Sequence, residues 1–205
     1  GGTVRLTAKS KGCKIDVGGL FKVEGDLQFV DIDVGGKVEI AGSGEGEKIE
    51  VGGKIEVGKS LRLSGTLEVG GKIEVGEELL AKNIQVGGVL RSRKTTAEDR
   101  IEVGGSIVTV EGVTARFVEI GNKGDVQGFI KADHVVIGRD ARAEDVYGKR
   151  IILRNGAHVK SVYGETVLIE SHCHISGEVQ YTGELRINEH VSLAKAPQRV
   201  DRLSF

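Results

Sequence analysis

The stretch IEVGGKIEVGKSLRLSGTLEVGGKIEVG, from Ile49 to Gly76, returns to an aliphatic-x-Val-Gly unit so insistently that no long helix or long strand fits between its glycines. The first aliphatic of each such unit falls at Ile15, Ile32, Ile49, Leu67, Ile84, Ile101, Val118, Val135, Ile151, Val167 and Leu185, in steps of 16 to 18 residues. Eleven units with so little drift describe one continuous solenoid. A single repeat of this size cannot bury its own apolar face, so successive repeats must stack.

Each unit carries inner echoes. Six residues after the anchor stand Phe21, Val38, Ile55, Ile73, Leu90, Ile107, Ala157, Cys173 and Val191; twelve after it stand Leu27, Leu61, Leu79, Val113 and Ile130. Aliphatics commonly recur two positions on, as in Ile15/Val17, Ile55/Val57 and Leu61/Leu63, which is the pattern of very short strands with one face inside. Three such strands per repeat make a triangular coil, and no segment sustains a helical period. Stacked at about 4.8 Å per rung, eleven coils span roughly 50 Å. Left-handed β-helix acyltransferases place a small residue two positions before the aliphatic. Here Ile49, Ile55, Leu61, Leu67 and Ile73 fill that place, which favours the right-handed form. The expected fold is therefore all-β: a right-handed parallel β-helix of about 11 coils of 16–18 residues over residues 1–194, with residues 195–205 as a C-terminal tail. Pro197, Val200, Leu203 and Phe205 suit that tail to a partial cap.

Glycine follows the anchor by three residues at Gly18, Gly35, Gly52, Gly70, Gly87, Gly104, Gly121 and Gly138. A recurring corner with positive φ, or with close backbone contact, excludes a side chain there. Arg154, Glu170 and Asn188 continue the column, Asn188 being the easiest fit to a left-handed conformation.

Composition narrows the function. Thirty acidic and 29 basic residues leave a net charge of -1, which gives no general attraction to nucleic acid or anionic lipid. Aromatic residues make up only 4% of the chain, too few for the stacking platforms of single-strand binders or open-groove polysaccharide enzymes. Cys13 and Cys173 form no disulfide framework and are compatible with a reducing compartment; the expected location is cytoplasmic, with membrane association as an extension. No apolar run reaches membrane-spanning length. The GGK at 52–54 recurs at 35–37 and 70–72, so it belongs to the corner and not to a phosphate loop.

Two stretches interrupt the aliphatic pattern. GSGEGEK (42–48) and RSRKTTAEDR (91–100) are expected to bulge outward from the third side as loops. In the second, Arg91, Arg93 and Lys94 form a candidate site for an anion or acidic partner. An outward column, Asp16, Asp33, Glu50, Glu68, Gln85, Glu102 and Glu119, is a solubilising face in its simplest reading, with calcium bridging as the sharper one. In SHCHIS, Cys173 points opposite to His172 and His174, so the three cannot converge on one ion. Cys173 reads as core; His158 and His174 should stack on an outer face, with His172 and His190 near a corner. Tyr147 and Tyr163, each within VYG, should also stack, with Tyr181 extending their line. They are candidate partner-binding residues, because tyrosine offers apolar area and a hydroxyl together. No metal or other cofactor is expected.

The C-terminal wording FVEIGNKGDVQGFIKADHVVIG, VYGKRIILRNGAHVKSVYGETVLIE and HISGEVQYTGELRINEHV resembles that of bactofilins, the polymer-forming cytoskeletal proteins. The resemblance covers residues 113 to 193, and the N-terminal coils continue it in plainer form. It implies a right-handed triangular β-helix that polymerises end to end without nucleotide, scaffolding protein clients or membranes. It also implies an unstructured segment ahead of the first coil that touches the membrane. Physics points to the same ends, since terminal coils leave unpaired backbone groups ready to template another protomer. The expected self-assembly residues are Val4 and Leu6 at the start and Leu185, Ile187, Val191 and Leu193 at the end. The expected partner is a second copy of the chain, not nucleic acid. The alternatives are a non-polymerising module that binds protein through an outer face or the 91–100 loop and, more remotely, a carbohydrate-active β-helix enzyme.

Overall fold

The computed structural model describes residues 2–6 and 10–203 and, within 10–13, the backbone alone. The side chain of Cys13 and the tail residue Phe205 lie outside the described residues. These residues form 24 short strands and no helix, wound as a right-handed parallel β-solenoid of about eleven turns. All eleven anchors occupy one column on the first side, Ile15 pairing with Ile32, Ile32 with Ile49, and so on up to Val167 with Leu185. Alternation explains the registration. In a four-residue strand such as Lys54–Val57, Ile55 and Val57 face inward and are buried, while Lys54 and Glu56 face outward. A slip of one residue would exchange the two sets.

The glycine corners owe their composition to close approach rather than to positive φ. A Cβ at Gly70 would lie 2.8 Å from the carbonyl oxygen of Gly52, and one at Gly87 would lie 2.6 Å from that of Gly70. From the seventh coil onward the corner lengthens and changes mechanism. Lys123, Asp140, Gly156, His172 and His190 share one corner column, each with φ between 55° and 73°. The left-handed residue of the last coil is thus His190, not Asn188. The next residue tucks inward, which buries Ala141, Ala157 and Cys173 at the corner itself. The second-side inner column consequently runs through Ala143, Val159, Ile175 and Leu193, two positions beyond the residues assigned by the six-residue echo.

Neither interrupted stretch is a loop. Gly44–Gly46 is a third-side strand paired with Leu27 on one side and Leu61 on the other. The core volume that glycine lacks there comes from neighbouring rungs: the Phe29 ring fills the place of a Gly46 side chain, and Leu61 Cδ1 stands 2.8 Å from where a Gly44 Cβ would be. In the other stretch Val89–Ser92 and Lys94–Val103 are both strands. The whole irregularity is a bulge in which Glu98 and Asp99 oppose the single residue Lys82. Thr95 takes an inner position between Leu79 and Val113, and its hydroxyl lies 2.7 Å from that of Ser92, so both polar groups are satisfied inside the core.

Candidate functional site

The two ends differ from the rest of the rod in one respect: their inner columns run out of cover. Thr3–Leu6 pairs with Leu20–Val23 and, among the described residues, has no strand on its other edge. Val4 sits in register with Phe21, which is 0% exposed, yet Val4 itself is 41% exposed. Leu6 packs against the core and is half-buried. At the far end Glu184–Ile187, Ser192–Leu193 and Gln198–Arg199 close the first, second and third sides, each backed by an earlier rung and, among the described residues, by nothing beyond. Ile187 lies above the 0% exposed Ile169 and is 40% exposed. Leu185, Val191 and Leu193 are partly covered by the core below them.

The structure scatters the three basic candidates and pairs each of them. Arg91 lies on the second side with its guanidinium 3.6 Å from Glu74; Arg93, at the corner, meets Glu111 at 2.5 Å; Lys94, on the third side, meets Glu78 at 3.5 Å. Arg91 ends a longer zipper. Lysine and glutamate alternate across the second-side strands, so that Lys22 and Lys37 share Glu39, Lys37 and Lys54 share Glu56, and Lys54 and Lys72 share Glu74. The Glu39 and Glu56 carboxyls are held below the usual range mainly by Lys37, and that of Glu74 mainly by Lys72. The two carboxylates beside Lys37 push its ammonium up to about 12. Depressed carboxyls stabilise fully above their ordinary value of 4.5 and lose that contribution as pH falls through their lower folded values. Thermal denaturation between pH 7 and pH 3 should therefore show Tm falling in the acid limb. Glu56→Gln with Glu74→Gln should flatten that limb, and 1 M salt should shrink it. At high pH the Lys37 contribution should fade as pH rises through about 12.

These pairs flank an open groove of about 770 Å³ along the corner between the second and third sides. Val23, Ile40, Val57 and Gly58 line it, as does Val110, which is 81% exposed. The carboxylates bordering this groove are the ones already held by lysine.

Tyr147 and Tyr163 stack with ring centroids 4.9 Å apart and planes 9° from parallel, and Phe129 meets Tyr147 edge-on at 6.3 Å. Burial raises the Tyr147 phenol above its usual range. Tyr181 does not extend the line: Gln180 stacks on Tyr163, while Tyr181 stacks on Gly164 and turns toward the core. Sequence reasoning missed Phe129. Its ring lies over Gly112, a left-handed corner residue at φ +74° with room for no side chain, and the Gly-Val spacing alone gives no sign of that contact.

His172 and His190 stack at the corner with centroids 5.4 Å apart, and His158 and His174 lie tilted at 5.8 Å on the outer second side. Cys173 is buried, its thiol 3.1 Å from the Arg154 carbonyl and raised in pKa by desolvation. Among the described residues no group of three or more His, Cys, Asp or Glu is placed to hold a metal ion, and no helix is long and apolar enough to cross a membrane. Comparison with protein-family models, with curated proteins and with solved structures gives no match.

Proposed function

We propose that this chain is a non-catalytic structural scaffold whose terminal rungs join protomers end to end, without nucleotide, into filaments or closed oligomers. The observation carrying this reading is that Val4 and Ile187, inner-column aliphatics at opposite ends, are 41% and 40% exposed where their neighbours one rung inward are 0% exposed. Among the described residues both lie on strands with no partner on the outer edge, and one added rung would satisfy hydrogen bonds and bury aliphatics at once. The resemblance to bactofilins supports the same reading. What it implies is a cytoplasmic, polymer-forming cytoskeletal element that carries protein clients or rests on a membrane.

Sedimentation velocity and negative-stain imaging over rising concentration, with no nucleotide present, test the proposal. The wild type should form rods longer than one protomer, and Val4→Arg combined with Ile187→Arg should reduce it to monomers while costing no more than about 1 kcal/mol of stability. Monomers from the wild type at every concentration and salt would favour the second reading, a monomeric binding module. That reading rests on Val110 and Phe129, 81% and 37% exposed in mid-rod.

A further inference from the structure

On the outer face of the first side, the position after each anchor is Asp16, Asp33, Glu50, Glu68, Gln85, Glu102 and Glu119 on consecutive rungs. It then turns to Val136, Ile152 and Leu168 and ends on Arg186. Folding gives no reason for that turn, because the inner column beneath it is already filled by Ile137, Leu153 and Ile169. The three outward aliphatics form a half-buried stripe with an acid at one end and a base at the other.

The geometry points to a lateral contact between two copies of this chain, first side against first side, with the rods antiparallel and a two-fold axis through Ile152. Rungs equally distant from Ile152 then face each other. Val136 meets Leu168 of the second copy, Ile152 meets its own mate, and Glu119 meets Arg186 of the second copy. The order acid, three aliphatics, base is self-complementary only in this antiparallel sense, which is what an isologous interface requires. The same symmetry brings Glu184, which already holds the Arg186 guanidinium at 2.7 Å, opposite the Phe117 ring of the second copy, so that Arg186 is shared between Glu184 and the second copy's Glu119. The column before the anchor adds His134 opposite Thr166 and brings two Arg150 side chains together. That last repulsion works against the contact.

A stripe of three rungs, about 10 Å long, is far smaller than a stable interface of about 1,200 Å² or more, so two single rods associate weakly. Rods joined end to end would repeat the contact at every protomer and gain avidity. That amplification rests on the proposed assembly; the contact itself does not.

The test uses the full chain carrying Cys13→Ser, Val4→Arg and Leu193→Arg, so that both ends are blocked and failure of end-to-end joining cannot be confused with failure of the lateral contact. In this background Ile152→Cys should oxidise to a covalent dimer, while Glu68→Cys, half-buried in the same outer column, should not. Glu119→Arg should cut the yield by about fivefold or more through like-charge opposition, with Arg186→Glu on the same chain restoring it and Arg150→Ser raising it. Equal yields from Ile152→Cys and Glu68→Cys, or no rescue by the charge swap, would overturn the contact. So would absence of dimer together with sedimentation on anionic vesicles that Ile152→Asp abolishes, which would assign the stripe to a lipid surface.

Discussion

Alanine at Gly71 should lower Tm by about 5–15 °C, and valine there by more. That range follows from a cost of about 2–4 kcal/mol at about 2–4 °C per kcal/mol for a chain of this size. Gly71 belongs to a ladder of second corner glycines, Gly19, Gly36, Gly53, Gly71, Gly88 and Gly105, each of which after the first would drive a Cβ into the carbonyl oxygen of the one before. No flexible side chain can yield, because the opposing atoms are backbone. The Gly53 oxygen is also fixed by the hydrogen bond it accepts from the Lys72 amide at 3.0 Å. A methyl group at Gly71 must therefore pry two rungs apart. Since rungs couple only to their neighbours, the parts of the rod on either side should then melt less cooperatively, broadening or splitting the calorimetric transition. Gly25→Ala is the control: a Cβ there meets nothing within 4 Å, so Tm should hold or rise slightly. Gly71→Ala melting with the wild type would show that rung spacing is not set by glycine backbone contact.

The rod was legible because its two signals are local: inward aliphatics two residues apart, and a return after sixteen to eighteen residues that brings Ile49 over Ile32 and Leu67 over Ile49. What was illegible depends on atoms from other rungs. GSGEGEK and RSRKTTAEDR look like loops because glycine, serine and threonine carry no apolar signal. Their inner places are filled instead by a neighbour's ring at Gly46 and by the Ser92–Thr95 hydroxyl pair. The shift of the second-side column was hidden for a different reason: the corner lengthens from the seventh coil onward while the repeat stays within 16 to 18 residues, so the total spacing barely registers the change. Among the end residues, sequence marks Val4 and Ile187 as inward-facing. Only the stacked coordinates show that their rungs lack cover among the described residues. The outward stripe was available in the sequence throughout, since Val136, Ile152 and Leu168 continue the column of Glu119 at the same spacing.

Truncating Phe29 tests whether core volume is shared between rungs. The ring is 6% exposed, and three of its carbons occupy the space a Gly46 side chain would need, so Phe29→Ala opens a cavity under a strand that has no side chain to collapse into it. The expected cost is about 3–5 kcal/mol. Gly46→Val in the wild type should also destabilise, by about 1–3 kcal/mol or more, because the new side chain meets the ring. Joined on one chain, the two changes should partly cancel, with a favourable coupling of about 1–3 kcal/mol in a double-mutant cycle of urea unfolding. A loop bulging outward at 42–48 would respond otherwise: Gly46→Val would then be close to neutral and the two substitutions strictly additive. The sign of the coupling thus decides whether the third side is continuous through its glycine-rich rung. That continuity matters for any scaffold role, because a rod with one open side would bend there instead of transmitting its geometry from end to end.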